Sequence, residues 1–263
     1  MRWHLKEIHD DPRFPGSLRD MVTEALQSLW DFAGAYRPIF PLLWECIDRA
    51  GSREVLDLCS GGGGPWLRFC REIESRPDRR LVVRLTDKYP HRSAYGGGSQ
   101  LSGILHFEPR PIDAECVPEE LQGFRTIFSS FHHFEPGPAR RVLRDAMTSG
   151  HGIGIFELAR RGARTMLACV FSSALVLLLA PSIRPFLWTR LLWTYLVPVI
   201  PFVVMYDGLV SCLRSYSLSD LEELVRPLRN NGAEWRIGVE DSGLVPVTYL
   251  IGVPLQRQGE RKA

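Results

Sequence analysis

A run of four glycines at residues 61–64 constrains the fold of this chain more than any other feature. It follows the apolar segment "REVLDLC" (53–59), which has the length of a buried strand. It precedes "PWLRFCREIES" (65–75), which has helical spacing and a proline near its first turn. Glycines at such a junction let the backbone approach a ligand, and the start of the helix offers free N–H groups. The stretch therefore predicts a nucleotide-binding turn in an α/β fold, with a structural tight turn as the alternative.

The rest of the chain alternates between strand-like and helix-like segments. Six further strands are predicted, at 80–87, within 102–113, and at 125–131, 151–158, 234–241 and 245–254. Helices are predicted at 138–150 and at 217–232, where Ser217 or Ser219 would cap the N-terminus. Because such alternation favours parallel strands, we predict a seven-stranded, mostly parallel sheet with helices on both faces. The last two strands are joined by a few residues around Gly243 and must form an antiparallel hairpin.

The segments outside this alternation define the domain organisation. Helical spacing in "SLRDMVTEALQSLW" (17–30), with Ser17 as the predicted N-cap, indicates a helical lead-in before the first strand. We divide the chain into an N-terminal lead-in or cap (1–50), a main domain (51–254), an apolar helical insertion within that domain (162–210), and a disordered tail (255–263).

Charge and cysteine usage exclude several classes of protein. The formal net charge of +2 over 263 residues, without a dense basic run, argues against a nucleic-acid partner. The six cysteines show neither C-x-x-C pairs nor metal-ligand spacing with histidines, which favours a reduced, cytosolic interior. The polar N-terminus does not resemble a signal peptide, so we expect a cytoplasmic protein. We predict no metal site, since the sequence offers no convincing set of clustered carboxylates.

Two residues after the glycine run help to identify the ligand. A dinucleotide-binding turn needs a small residue at the third position of its glycine pattern, where this chain has Trp66. This argues against a nicotinamide or flavin cofactor. Asp87 ends the next strand and is placed to accept hydrogen bonds from ribose hydroxyls; a turn residue before Lys88 is the alternative.

The stretch "VLDLCSGGGGP" resembles motif I of class I S-adenosylmethionine-dependent methyltransferases. That motif has an acidic residue followed by alternating glycines, matched here by Asp57, Cys59, Gly61 and Gly63, with Cys59 as a departure at the first glycine position. The resemblance implies a Rossmann-like fold that binds S-adenosyl-L-methionine and releases S-adenosyl-L-homocysteine.

Three later stretches are similar to the other motifs of that family. "LTDKYP" is similar to the second motif, so Asp87 would hold the ribose with Lys88 beside it. "PIDAECVP" is similar to the third, and the resemblance implies that Asp113 and the backbone of Ala114 meet the adenine. "IFSSFHHFEP" is similar to the fourth, which the resemblance places at the methionine end of the cofactor through Ser129 and Phe131.

Methyl transfer from a sulfonium depends mainly on placing the acceptor in line, and a base is needed only when the acceptor must lose a proton. His132 and His133 are the candidates, because histidine titrates near neutral pH, and we prefer His133. Either histidine could instead pack within the loop or hydrogen-bond to it.

Candidate substrate contacts lie where the polar segments return to the carboxyl edge of the sheet. They are Glu157 at the end of the fifth strand, Asp207, Arg214 and Tyr216 after the insertion, and Tyr36 in the lead-in. Loop anchoring and helix capping are the alternative roles.

The insertion contains two stretches without charge, at 165–183 and at 191–206. Both are short for a membrane span, and prolines break the second, so two regular transmembrane helices are disfavoured. A helical lid or homodimer face and a re-entrant or interfacial membrane hairpin both stay open. Flanking arginines could meet anionic headgroups; they are residues 160, 161, 164, 184 and 190. Either way, we expect an apolar acceptor pocket.

The resemblance implies a methyltransferase, and the apolar insertion predicts that it acts at oxygen or carbon of a lipophilic small molecule, such as a quinone, polyketide, terpenoid or acyl lipid. Its location would be cytoplasmic, with membrane association on the cytoplasmic face as the open alternative. A catalytically inactive, membrane-associated binding or scaffold protein on the same fold is the second hypothesis. An oxidoreductase is the third, and Trp66 disfavours it.

Overall fold

A computed structural model of the chain describes residues 2–3, 5–74, 80–90, 103–229, 232–241 and 243–255. The tail predicted to be disordered lies outside these residues, except for Leu255. The statements below concern the described residues.

Seven strands form one mixed sheet, as the sequence predicts. They are β1 (Glu54–Leu58), β2 (Val82–Leu85), β3 (Leu105–Phe107), β4 (Phe124–Phe128), β5 (Ile153–Glu157), β6 (Ala233–Glu240) and β7 (Val247–Pro254). Their order is β3-β2-β1-β4-β5-β7-β6. The first five are parallel to one another, and β7 runs antiparallel to both β5 and β6. This confirms the predicted C-terminal hairpin and places it at one side of the parallel strands.

Eight α-helices are described between and before these strands. They are α1 (Gly16–Ala33), α2 (Phe40–Arg49), α3 (Trp66–Glu74), α4 (Pro136–Thr148), α5 (Ala163–Leu179), α6 (Trp188–Leu191), α7 (Val199–Arg214) and α8 (Leu218–Val225). Short 3-10 helices cover Arg37–Ile39 and Phe131–His133, and a π-helical turn (Leu192–Leu196) follows α6.

The ends of two helices test the predicted caps. Ser217 caps α8 as predicted, in a capping box with Asp220. Ser17 does not cap α1, because the helix begins one residue earlier and Pro15 occupies the N-cap position. Helix α8 ends at Val225, well before the predicted glycine stop, because Pro227 in the next turn lacks the N–H that would continue the helix.

Helices cover both faces of the sheet because its parallel strands are apolar on both sides. Successive residues of β1 point to opposite layers: Val55 packs with α2 and α3, whereas Leu56 packs with α4 and α8. The central strands β4 and β5 are buried along their whole length.

The lead-in and the insertion form a further helical layer, which we call the cap (α1, α5 and α7). Leu18, Val22 and Ala25 of α1 belong to one buried cluster with Val176 of α5 and residues of α7. The lead-in is thus part of the same apolar layer as the insertion.

One side of the cap stays exposed. Only 17% of the most apolar window of the helix Ala163–Ser182 is buried, and by length and composition this helix could cross a membrane. The segments Trp188–Leu196 and Val199–Arg214 also qualify as a pair, but they are bent by 71° at their junction.

Three of the flanking arginines are engaged within the protein. Arg161 pairs with Asp220 at 2.5 Å, and Arg164 pairs with Asp241 at 2.6 Å. Arg190 is buried, pairs with Glu24 and donates to two backbone carbonyls. Arg190 is therefore not available to a lipid headgroup, which corrects that part of the expectation.

Candidate functional site

A cavity of about 670 Å³ lies between the carboxyl ends of β1 and β4 and the cap. The glycine turn and the ends of both strands form one side. Helices α1, α5 and α7 form the other, and residues of the 3-10 turn 131–133 also line it.

The glycine turn has the backbone geometry that its sequence suggests. Gly61, Gly63 and Gly64 have φ of +50°, +101° and +52°, a region that favours glycine. Gly61, Gly62 and Gly64 line the cavity. Gly63 instead faces Leu67 of α3, where an added Cβ would lie 3.3 Å from the Leu67 Cγ atom. Gly63 is thus a packing glycine of the turn.

Two neighbours of the turn depart from a pattern of small residues. Cys59, at the first glycine position of the motif, adopts φ of +56°, and burial raises the pKa of its thiol. Trp66 is fully buried beneath the turn, and its Nε1–H lies 3.3 Å from Thr126 Oγ1. The bulky residue therefore occupies the core, where it stacks edge-on against Phe69 and Phe128.

Asp57 is a buried carboxyl group below the turn. Thr126 Oγ1 donates to its Oδ1 at 2.5 Å. Burial raises the pKa of Asp57 to about 7, although hydrogen bonds from Thr126, Ser60 and Trp66 act in the opposite direction. The side chain therefore holds a proton more readily than a free carboxyl group does, and it borders the cavity.

The residues assigned to the adenosine end lie outside the lining of the cavity. Asp87 follows β2, and its carboxylate accepts from the N–H groups of Gly61 at 2.9 Å and Tyr89 at 2.8 Å. Lys88 Nζ donates to Asp113 Oδ2 at 2.8 Å. The Ala114 side chain is buried in the core. Asp87 thus joins the end of β2 to the glycine turn.

The residues after β4 separate into a set that lines the cavity and a set buried behind it. Ser129 lines the cavity at φ +43°, and its Oγ lies 2.5 Å from the Tyr36 hydroxyl. Tyr36 is itself buried behind this contact, and burial raises its pKa well above the usual value. Phe131 is fully buried in the core, and its N–H donates to Glu157 Oε1 at 2.6 Å. Tyr36 and Phe131 therefore support the cavity wall without lining it.

His132 and Glu157 form a buried pair. The Nδ1 atom of His132 lies 2.7 Å from Glu157 Oε2, and its Nε2 atom lies 3.3 Å from Glu7 Oε1. Burial lowers the pKa of His132, but the carboxylates of Glu157 and Glu7 outweigh this effect and raise it to about 10. His132 therefore keeps its proton at neutral pH.

His133 has a different environment, although its ring centroid is only 4.4 Å from that of His132. Its side chain is 27% exposed and lines the cavity. Its Nδ1 atom lies 3.0 Å from Asp10 Oδ2, and its Nε2 atom lies 3.7 Å from Glu7 Oε2.

The N-terminal segment brings three residues to this site that sequence reasoning missed, namely Glu7, His9 and Asp10. Asp207 of α7 fixes the segment, because its carboxylate accepts from the Ile8 N–H at 2.6 Å and lies 2.7 Å from His9 Nδ1. The only available signal was the density of charged and histidine residues in "HLKEIHDD".

Arg214 and Tyr216 anchor the same segment. Arg214 Nη1 contacts Glu7 Oε1 at 3.2 Å and Asp10 Oδ2 at 3.1 Å. The Tyr216 hydroxyl donates to the Phe134 carbonyl at 2.7 Å, and the ring carries the Arg2 guanidinium at 4.1 Å. Both residues hold other parts of the site in place.

The remaining wall of the cavity is mostly apolar. It consists mainly of aliphatic and aromatic side chains, including Leu26, Trp30, Leu158, Leu167, Phe171, Leu175, Val204 and Val245. Leu167 and Phe171 also belong to the exposed side of the cap, so the apolar wall continues onto the surface.

Comparisons with known proteins relate this architecture to solved structures. No protein-family model matches the sequence, and no curated protein matches it. Human N-acetylserotonin methyltransferase in complex with SAM is similar in structure, with a TM-score of 0.53, 13% identity, and coverage of 91% of this chain and 56% of that chain. The chain thus spans about half of the human enzyme's length.

Two further methyltransferases give similar results. The plantazolicin methyltransferase BpumL in complex with SAH has a TM-score of 0.53 and 12% identity, covering 90% of this chain and 95% of that chain. The O-methyltransferase NcsB1 from neocarzinostatin biosynthesis has a TM-score of 0.52 and 14% identity, covering 91% and 59%. At these identities the similarity establishes the fold: this chain has the class I methyltransferase Rossmann-like fold, as the resemblance implied.

Proposed function

We propose that this protein is an S-adenosylmethionine-dependent methyltransferase that methylates an oxygen or carbon atom of a lipophilic small molecule at the cytoplasmic face of a membrane. The observation that carries the proposal is the meeting of the glycine turn and a large apolar wall in one cavity. In this fold, ligands bind at the carboxyl ends of the strands, where both features lie.

The residues around the turn fit the cofactor. The positive φ values of Gly61 and Gly64 leave a cradle without side chains, and Asp87 lies beside it with a carboxylate suited to ribose hydroxyls. We assign Asp57, Cys59, Gly61 and Ser129 to the cofactor side of the cavity, with Asp87, Lys88, Asp113 and Ala114 toward the adenosine end. Gly63 and Phe131 support this side from within the core. When bound, S-adenosylmethionine supplies a methyl group that is already activated on a sulfonium.

The apolar wall supports a lipophilic acceptor. Leu167, Phe171 and Val204 provide area for a hydrophobic molecule and exclude water from the reacting atoms. NcsB1 was solved with 2-hydroxy-5-methyl naphthoic acid, an aromatic molecule that carries a hydroxyl group. An acceptor of comparable polarity suits this wall.

His133 is the base we assign where the acceptor must lose a proton. It lines the cavity and is partly exposed, whereas His132 is held protonated between two carboxylates. Glu157 orients His132, and Glu7 lies next to both rings. Asp207, Arg214 and Tyr216 then act on the acceptor indirectly, by fixing the N-terminal segment.

The exposed side of the cap supports membrane association. Exposed apolar residues recur along α5 every three or four positions, at Leu167, at Val170 and Phe171, at Ala174, and at Leu177 and Leu178. Further exposed apolar residues follow in α6, the π turn and α7, among them Trp188, Leu196 and Phe202. Large exposed apolar surfaces often mark membrane or protein interaction sites. Since the same area borders the cavity, a lipophilic acceptor could enter from the bilayer.

Calorimetric titration with S-adenosylhomocysteine tests the cofactor assignment. We expect micromolar binding to the full chain and a loss of at least about tenfold in Asp87→Ala, since hydrogen bonds to a charged group contribute about 1.5–3 kcal/mol each. Asp48→Ala, at an exposed position on α2, is the matched control and should bind as the wild type does. A folded wild type that does not bind the ligand would overturn the proposal. Binding without turnover of any lipophilic acceptor would favour the binding-protein alternative.

Flotation with phosphatidylcholine–phosphatidylglycerol liposomes tests the membrane assignment. Phe171 and Leu178 are 68% and 76% exposed, so the double substitution to serine should leave the melting temperature unchanged. We expect the wild type to float and this variant to remain with the soluble fraction. A wild type that stays monodisperse without detergent and does not float would exclude membrane association. A dimer in light scattering that the variant loses would identify the area as a homodimer face instead.

A further inference from the structure

Four side chains with metal-ligating atoms meet beside the cavity. Glu7, His9, Asp10 and His133 each offer one donor atom, and these atoms all lie within 4.8 Å of one another. Glu7, His9 and His133 also line the cavity. The first three residues come from the N-terminal segment and the fourth from the turn after β4, so the fold alone brings them together.

Two separations between donor atoms of this cluster are longer than a hydrogen bond. His133 Nε2 lies 3.7 Å from Glu7 Oε2, and His9 Nε2 lies 3.7 Å from Asp10 Oδ1. These distances exceed the usual hydrogen-bond limit of about 3.2 Å. Two ligands of one tetrahedral ion, each about 2.1 Å from it, lie about 3.4 Å apart. The spacing is therefore close to that of atoms that share an ion.

Carboxylates orient the two histidines toward the centre of the cluster. Asp207 Oδ2 lies 2.7 Å from His9 Nδ1, and Asp10 Oδ2 lies 3.0 Å from His133 Nδ1. An Nδ1–H donated to a carboxylate leaves the Nε2 lone pair for a ligand. This is the usual arrangement around protein-bound metal ions, where the partner also fixes the ring.

A third histidine nitrogen points at the cluster from inside the protein. His132 is 3% exposed, and its protonated Nε2 atom is ion-paired with Glu7 Oε1 at 3.3 Å but lacks a hydrogen bond of good geometry within the described ranges. A buried N–H normally has a well-aligned acceptor, so this pair indicates that Glu7 is held partly toward the cluster.

The balance of charge also favours a cation. The carboxylates of Glu7, Asp10, Asp207 and Glu157 surround the histidines, whereas Arg214 is the cation that contacts two of them. With His132 protonated, its imidazolium and this guanidinium together offset two of the four negative charges. A divalent ion would offset two more, and it would compete with protons for the imidazole nitrogens.

We propose that Glu7, His9, Asp10 and His133 bind one divalent first-row transition-metal ion at the edge of the cavity. Two imidazoles with two carboxylates suit ions such as Zn²⁺, Co²⁺ or Mn²⁺, whereas Mg²⁺ and Ca²⁺ prefer oxygen ligands alone. Binding of the ion does not depend on the proposed function. The role of the ion rests on the proposed function. Because it faces the cavity, the ion would hold an oxygen of the acceptor and lower the pKa of that group. His133 would then not act as the base, because its ligating nitrogen has no free lone pair.

Cobalt titration of the full chain, without an affinity tag and after removal of metals with a chelator, tests the site. We expect visible d–d absorption that saturates at one equivalent, is displaced by Zn²⁺, and persists in millimolar Mg²⁺. His133→Ala and Asp10→Asn should each weaken Co²⁺ binding by at least about tenfold. His106→Ala removes an exposed histidine on β3 and should bind as the wild type does.

Asp10→Asn keeps the test valid if His133→Ala does not fold, because Asp10 is exposed and the substitution preserves its shape. Absence of saturable absorption in the wild type, or equal affinity in both variants and the wild type, would overturn the proposal. Titration of the same samples with S-adenosylhomocysteine separates the two proposals. If the protein binds Co²⁺ but not S-adenosylhomocysteine, the metal site is supported and the proposed function fails. If it binds S-adenosylhomocysteine but not Co²⁺, the proposed function is supported and the metal site fails.

Discussion

Replacement of Asp57 by asparagine should change how stability depends on pH. Asp57 is 1% exposed at the end of β1, where Thr126 donates to one carboxylate oxygen. Asparagine has the same shape and keeps an oxygen for that hydrogen bond, but it cannot ionise. The comparison therefore isolates the cost of a charge at this position.

The magnitude follows from the pKa of Asp57. Burial raises it to about 7 in the folded protein, whereas an unfolded chain has about 3.9. Between these values the folded state binds more protons than the unfolded state, so the free energy of unfolding falls as pH rises and levels off above about pH 7. The whole difference corresponds to about 4 kcal/mol at 1.36 kcal/mol per pKa unit, of which roughly 2.5 kcal/mol falls between about pH 5 and pH 7.5.

Urea unfolding of the wild type and Asp57→Asn without cofactor, at several values from pH 5 to pH 7.5, measures this effect. The free energy of unfolding of the variant, relative to that of the wild type, should rise by roughly 2.5 kcal/mol from pH 5 to pH 7.5. Asp48→Asn, at an exposed position on α2, should follow the wild type. A difference between wild type and Asp57→Asn that stays constant within about 0.5 kcal/mol would refute the reasoning, because it would mean that Asp57 ionises as readily in the folded protein as in the unfolded chain.

Two other substitutions test the packing that positions the site. Gly63→Ala should lower the free energy of unfolding by about 1–3 kcal/mol in a urea titration, because φ is +101° and Leu67 lies 3.3 Å from the added Cβ. Gly16→Ala, at an open position, is the control and should be nearly neutral. Equal effects of the two substitutions would contradict this account. Glu24→Gln should lower the free energy of unfolding by about 3 kcal/mol in the same assay, because the buried Arg190 loses its carboxylate partner. A smaller loss at high salt would show instead that solvent screens the pair.

Much of the sheet could be predicted because its signals are local. Apolar runs at β1, β4 and β5 alternate with helices, and the short connection around Gly243 allows only an antiparallel hairpin for β6 and β7. The boundaries of α1 and α8 were less accurate because prolines, which stop or start a helix within one turn, decided them.

The candidate site was predicted in part for the same reason. Asp57, the glycine turn and the histidines follow directly from strand ends, which meet at one edge of a parallel sheet. Whether a residue at that edge faces the cavity or the core was not predictable: Gly63 and Phe131 turn inward, and Tyr36 lies behind Ser129. Side-chain direction at such a turn depends on one or two dihedral angles that several packing partners fix together.

The sequence by itself determined the order of strands and helices, the turn after β1 and the apolar character of the insertion, because each depends on residues close together in the chain. Only the tertiary structure decided that Glu7, His9 and Asp10 join His133 from more than a hundred residues away, and that α1 packs on the insertion. The packing of α1 arises from the burial of helix faces against one another, whereas polar contacts with Asp207 and Arg214 hold the N-terminal segment. Local spacing specifies neither. The cavity is therefore lined in part by a segment whose own sequence gives no indication of its partner.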